Sequence, residues 1–346
     1  MAVKETQLTE TQLKDTIKGG SANLYVFYGV ESYLVEQYAH LVMRETVEEG
    51  FDAFNLQQFD GGEVSIAELE DAVEALPMMI DRKCVVVRDL DPCSGDTDRL
   101  LRLIEQVPDS CVLVFRQMTV QPDKRKNGWK DFLKIAEKQG VVMNFERKDV
   151  TEASKMLAGG AKRRGCRLDV ADARYLVEQV GNDLNLLIRE LDKLCALAGE
   201  GGEITRQMID TACPKNLEAK VFDLSKDILY RRRQQAFELL HQLRVQRAEP
   251  IMVLGALSGA FADFYRGKVA AASGVSADVM ASHFKSYKNK EWKLKNAARD
   301  CGRQTIETLR TCLAILAETD TSLKLRSGEE WVLLEQTVAR LMEVIR

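Results

Sequence analysis

The chain has 346 residues, 45% of them hydrophobic and 29% charged, and its 49 basic residues against 53 acidic ones leave a net charge of −4. Those values fit a soluble globular protein of two or three domains and exclude a strongly basic nucleic-acid binder, although not a local basic face. The eight cysteines, at 84, 93, 111, 166, 195, 213, 301 and 312, form no C-x-x-C pair and have no histidine doublet nearby, so buried reduced thiols are expected in place of a metal site or disulfide framework. The N-terminus, MAVKETQLTE, has no apolar stretch of signal-peptide length and no later segment is long enough to span a membrane, so a cytoplasmic protein is expected.

The first part of the chain alternates strands with helices. Leu24–Tyr28 is an aromatic and β-branched run that stops at Gly29 and reads as a buried strand. Ser32 is placed to cap a helix with Leu34, Val35, Tyr38, Leu41 and Val42 on one stripe, ended by Gly50. Phe54 to Phe59 is a weaker strand candidate. Ser65 and Glu68 have the spacing of a capping box ahead of Ile66, Leu69, Val73 and Leu76, and Pro77 stops that helix. Continuous apolar strands are expected at Cys84–Val87, Cys111–Phe115 and Val141–Phe145, separated by helices near 97–106 and 129–138. Strands buried on both faces and joined by helices imply a parallel three-layer α/β sheet.

Beyond about residue 148 the strand signals cease. Residues 151–213 read as a compact helical unit, with a helix through Met156, one starting at Asp169, one over Asp183–Ala198 and a short one after Thr205. Cys213-Pro214 is a natural boundary. Helices are then expected over Val221–Tyr230 and Arg233–Val245, from Pro250, and near 304–320 and 329–345. The fold class is thus α/β plus all-α, divided at 1–148, 149–214 and 215–346.

A phosphate-binding loop G-x-x-x-x-G-K-[ST] needs glycines so that backbone N–H groups can wrap the phosphates, a lysine for the terminal phosphates and a hydroxyl for magnesium. Counted from Gly29, the last three positions hold Leu34, Val35 and Glu36. Leucine removes the backbone freedom, valine supplies no charge, and Glu36 repels a nucleotide, as does Glu31. At an effective dielectric near 20, each acid about 4 Å from a phosphate costs on the order of 4 kcal/mol before screening. Whether this is a degenerate phosphate loop or an unrelated strand and helix, ATP binding is not expected here.

The segment Leu24-Tyr-Val-Phe-Tyr-Gly-Val-Glu-Ser-Tyr-Leu-Val35 resembles the opening of the delta-subunit family of the bacterial DNA polymerase III clamp loader, an apolar strand followed by Tyr-Gly-x-Glu-x-Tyr-Leu. Four further stretches agree in order and spacing: Ala75-Leu-Pro-Met-Met-Ile-Asp-Arg-Lys-Cys-Val-Val-Val87, Asp123-Lys-Arg-Lys126, Gly181-Asn-Asp-Leu184 with Glu190-Leu-Asp-Lys-Leu194, and Asp320-Thr-Ser-Leu-Lys324. The sibling motor subunit carries a phosphate loop and zinc cysteines, and delta-prime carries zinc cysteines and Ser-Arg-Cys; neither pattern occurs here. The resemblance implies an AAA+-like first domain without a working nucleotide site, a helical lid and a C-terminal helical collar. It also implies a function without catalysis or cofactor in the polymerase holoenzyme, namely gripping and opening the beta sliding clamp for loading on primed DNA. The implied partners are the clamp, the tau/gamma motor subunits, delta-prime and primed DNA, with no membrane.

Pro77, Met78 and Met79 follow the capped helix and precede a buried strand, so the methionines lie at a loop or helix end. From residue type alone they could turn inward and cap the core. The resemblance places an apolar pair here that enters a pocket on the clamp, a role that suits flexible, polarizable methionine although some relatives have leucine and an aromatic residue. Lys124, Arg125, Lys126 and Lys130, beside Trp129, form a basic loop that is either a DNA or subunit contact or a solvated surface. The same two readings hold for Arg231–Arg233 and for Lys285, Lys288, Lys290, Lys293 and Lys295 with Tyr287 and Trp292. Asp320 and Lys324 have the orientation of a helix-stabilising pair. His40, His241 and His283 are isolated from any nucleophile motif, and Asp89 and Asp91 read as strand-end turn residues. A diverged AAA+ ATPase and a helical DNA-binding repair module remain as alternatives.

Overall fold

The computed structural model describes residues 8–284, 287, 291–325 and 330–345. The chain begins with helix α1 (Glu10–Lys18), strand β1 (Leu24–Tyr28), α2 (Ser32–Thr46), the single turn α3 (Asp52–Asn55), β2 (Leu56–Asp60) and α4 (Ile66–Glu74). It continues through β3 (Lys83–Arg88), α5 (Thr97–Glu105), β4 (Cys111–Arg116), α6 (Asn127–Gln139) and β5 (Val141–Asn144). Helices follow, with one isolated parallel bridge between Arg167 and Glu203: α7 (Val150–Arg163), α8 (Val170–Val180), α9 (Leu184–Ala198), α10 (Arg206–Ala212), α11 (Leu217–Leu229) and α12 (Arg233–Val245). The last are α13 (Pro250–Ala272), α14 (Ala277–Ser282), α15 (Glu291–Asp300), α16 (Ile306–Leu325) and α17 (Glu330–Val344). Two compact units result, Met1–Gly160 with Asn182–Asp192, and Ala161–Gly181 with Lys193–Arg346.

The first unit is built on a five-stranded, wholly parallel sheet in the order β2-β3-β4-β1-β5. Period-two alternation sends Leu24, Val26, Val85, Val87, Leu113 and Phe115 to one face, where they pack with Leu69 and Val73 of α4, Leu100 and Ile104 of α5, and Trp129 and Phe132 of α6. The intervening Tyr25, Phe27, Cys84, Val86, Val112 and Val114 are equally buried. On that side Phe27 meets Tyr38 of α2 and Phe145 edge-on, with ring centres 6.4 and 5.9 Å apart. Burial on both faces is why the strands read as continuous apolar runs. The capping box is present as the sequence implies, Glu68 N–H donating to Ser65 Oγ at 3.2 Å and Ser65 N–H to Glu68 Oε2 at 2.9 Å.

Several boundaries differ from the sequence reading. Glu31, not Ser32, is the N-cap of α2; Ser32 is already helical, and its hydroxyl accepts from Asn185 Nδ2 at 3.0 Å. The helix closes at Thr46 with Val47 extended, and Gly50 belongs to the following turn at φ +93°. Phe54 lies in α3, so β2 starts two residues later than expected. Helix α4 stops at Glu74, before Leu76 and Pro77.

The second unit is helical. Leu224 and Ile228 of α11, Leu240 and Leu243 of α12, Leu257, Phe261 and Phe264 of α13, Leu309 and Leu316 of α16, and Leu334, Val338 and Leu341 of α17 form one core. Thr319 and Thr337 share a hydrogen bond of 2.8 Å across α16 and α17, and Lys324 pairs with Asp320 at 2.6 Å as their spacing implies. Among the described residues no helix is long and apolar enough to cross a membrane.

Candidate functional site

The turn from β1 into α2 holds three residues, Gly29 to Glu31. Gly29 sits at φ +127°, and its N–H donates to Gln121 Oε1 at 3.0 Å. Glu31 N–H donates to Phe145 O at 3.0 Å, which draws the turn against the end of β5. Helix α2 begins so early that the three positions which would hold glycine, lysine and hydroxyl lie inside it. Leu34 and Val35 are buried. Glu36 Oε1 stands 2.5 Å from Arg116 Nη1 and 3.0 Å from His40 Nε2. Burial pushes the Glu31 carboxyl above the usual range, against the lowering influence of Arg147 and of Lys148 and its backbone N–H. A phosphate arriving here would meet acids, with the Gly29 amide already committed to a side chain.

Asp89, at the end of β3, has φ +56°. Its Oδ1 accepts from the N–H groups of Met118, Thr119 and Val120 at 2.6, 2.7 and 3.1 Å, and its Oδ2 accepts from Thr119 Oγ1 at 2.9 Å. Burial pushes this carboxyl up, but the bonds from Thr119, Val120 and Met118 outweigh it and hold it below the usual range. Asp91 accepts from Cys93 N–H at 3.0 Å. Asp91 thus serves a local turn, as its place after the strand suggests, whereas Asp89 ties the end of β3 to the loop that follows β4.

The methionine pair lies between α4 and β3. Met78 is 53% exposed, Met79 86% and Leu76 81%, while Pro77 is half-buried. The two methionines therefore do not turn inward to cap the core. Met79 takes a left-handed φ of +64° that non-glycine residues seldom adopt. The segment is nevertheless held: Asn55, on α3, accepts from Met78 N–H at 2.7 Å and donates to Met78 O at 2.9 Å. Sequence reasoning missed Asn55, because a partner 23 residues away on another element leaves no periodic signal.

The basic loop is only partly free of partners. Arg125 lies on Asp123 through Nε at 2.9 Å and Nη2 at 3.1 Å. Together with a backbone bond from Arg125 this draws the Asp123 carboxyl down to about 2. Lys126 reaches Asp91 at 3.8 Å, Lys124 and Lys130 are exposed, and Trp129 is a core residue. In the second unit Arg232 pairs with Asp227 at 3.5 Å, and Lys293 with Glu218 at 3.6 Å. Tyr287 is buried, its hydroxyl bonded to Asp263 and Arg266, so this aromatic faces the core. Lys285, Lys288 and Lys290 lie outside the described residues. Among the described residues no group of three or more His, Cys, Asp or Glu could hold a metal ion.

A parallel β2-β3-β4-β1-β5 sheet followed by helices defines an α/β protein with a helical C-terminal region. Residues 25–146 match the family profile described as DNA polymerase III, delta subunit, and residues 218–341 match the one described as DNA polymerase III delta subunit, C-terminal domain. The chain is 24% identical over 339 residues to DNA polymerase III subunit delta of Bacillus subtilis, covering 95% of this chain and 96% of that one. It is 20% identical over 253 residues to the subunit of the same name from Escherichia coli, covering 72% of each. The solved Bacillus subtilis DNA clamp loader delta protein has the same fold, with a TM-score of 0.52 at 23% identity over 96% of this chain and 99% of that one. The chain belongs to the DNA polymerase III delta-subunit family.

Proposed function

We propose that this chain is the clamp-loader subunit that binds the beta sliding clamp through Pro77, Met78 and Met79 and opens its ring for loading on primed DNA. The observation that carries the reading is the exposed methionine pair on a segment whose backbone is pinned by a buried side chain. Exposed apolar side chains held in place are matched to an apolar pocket on a partner. Burying both contributes roughly 3–6 kcal/mol of gross hydrophobic free energy before ordering costs. Residues 1–148 then form the gripping domain, 149–214 the lid, and 215–346 the collar that joins the tau/gamma motor subunits and delta-prime.

The turn at Gly29 supports a division of labour in which this subunit is non-catalytic and ATP acts on it through its neighbours, since an effector must bind the two states of the assembly differently. Lys124, Arg125, Lys126 and Lys130 are proposed as a DNA or subunit contact within the complex. Capture of the purified clamp by this chain alone, without nucleotide, tests the reading. Saturable, magnesium-dependent ATP binding by the isolated chain would favour a diverged ATPase instead. Salt-dependent DNA binding with no affinity for the clamp would favour a repair module.

A further inference from the structure

We infer that Asn55 is the positioning residue of the gripping tip and that Phe54, its neighbour, is a further apolar contact of that tip; the inference rests on the clamp-binding reading above. Asn55 is 1% exposed, yet its side-chain amide is not used to stabilise its own helix alone. Nδ2 donates to Phe51 O at 3.2 Å and to Met78 O at 2.9 Å, while Oδ1 accepts from Met78 N–H at 2.7 Å. An amide that pairs with both the N–H and the C=O of one residue acts as a strand neighbour would, fixing the peptide groups on either side of Met78.

The next residue, Met79, is the one held at φ +64° and thrust into solvent. A left-handed methionine persists where surrounding bonds over-determine it, and the Asn55 pairing is that constraint. Helix α3 runs directly into β2, so the tip is tied to the edge of the sheet and not left to the loop.

Phe54 is 63% exposed. Standard covalent dimensions and the Asn55 bonds put its Cα within about 11 Å of that of Met78. Phe54, Leu76, Met78 and Met79 are thus four exposed apolar residues next to Asn55 or within two residues of the Met78 it holds. A single apolar pocket on the clamp is the occupant that fits a tip whose shape is fixed in advance, because preformed contacts lose less freedom on binding.

The test uses the full chain and purified sliding clamp, with affinity and enthalpy from calorimetry and with amide hydrogen exchange. Phe54→Ala is expected to weaken binding about 10-fold, the scale of a partly buried aromatic contact. Asn55→Ala is expected to weaken it by about 10-fold or more through a less favourable entropy, and to speed exchange at the Met78 amide while strand amides stay protected. In the wild-type chain the Met78 amide should exchange as slowly as those of β2 and β3. Fast exchange there overturns the positioning role even if Asn55→Ala does not fold. Wild-type affinity in folded Asn55→Ala overturns that role as well, and wild-type affinity in Phe54→Ala removes Phe54 from the tip. In either case Met78→Ala with Met79→Ala still abolishes binding if the clamp reading holds, whereas wild-type binding by that double variant overturns the clamp reading itself.

Discussion

Replacing Gly29 by alanine should destabilise the first unit rather than alter any nucleotide affinity. A Cβ at this position would stand 2.3 Å from Phe145 O and 2.7 Å from both Phe145 N and Asn144 Oδ1. Two of those atoms are backbone, and they are engaged: Phe145 N–H donates to Tyr28 O at 2.7 Å, and Phe145 O accepts from Glu31 N–H at 3.0 Å. Relief of the overlap therefore separates β1 from the chain leaving β5. At φ +127° an L side chain is also strained, at about 1–2 kcal/mol. Overpacking adds about 1–3 kcal/mol, so a loss of about 2–5 kcal/mol is expected from a total of roughly 5–15. Urea unfolding followed by circular dichroism gives the loss, and hydrogen exchange of the β1 and β4 amides assigns it to this unit. Stability within about 0.5 kcal/mol of wild type would refute the reasoning, since this glycine would then not be required by the close approach of β5.

Asp89→Ala leaves three backbone N–H groups without their acceptor and is expected to cost about 1.5–3 kcal/mol at pH 7. The folded carboxyl is held below its unfolded value, so its contribution is present above the unfolded pKa and disappears as pH falls through the folded one. The gap between wild type and variant in urea unfolding should narrow as pH falls through the folded pKa, and a gap that does not change with pH contradicts this. Glu31 has the opposite sign: burial raises its folded value, so its relative stabilisation is fullest below the unfolded pKa and is lost as pH rises through the folded one. Glu31→Gln should accordingly be more stable than wild type at pH 7 and equal to it near pH 4 by the same measurement. A variant less stable at pH 7 overturns the assignment.

Much of the architecture was legible because its causes are local. Leu24–Tyr28, Cys84–Val87 and Cys111–Phe115 are apolar at every position since both faces of the sheet are covered, and Arg233–Val245 coincides with α12. The box at Ser65 and Glu68 is closed by neighbours three residues apart. Helix α1 gives little periodic signal because its polar sequence offers only Leu13 and Ile17 to the core, and Thr9 with Gln12, a capping box, is its local mark. Ser32 reads as a cap, yet α2 starts one residue earlier, after a Glu31 whose N–H bonds to Phe145 O more than a hundred residues away in sequence. The same limit applies at the candidate site. Met78 and Met79 are legible as a pair after a helix, but the bonds of Met78 to Asn55 and of Gly29 to Gln121 are not. Both are tertiary hydrogen bonds from ordinary polar residues, without motif or period.

The central claim is tested most directly by the affinity of the full chain for the purified sliding clamp, without nucleotide, in wild type and in Met78→Ala with Met79→Ala. Wild type should bind measurably, and the double variant should lose about 100-fold or more, in line with the apolar surface removed, with an unchanged circular dichroism spectrum. A correctly folded double variant that binds the clamp at wild-type strength would contradict it.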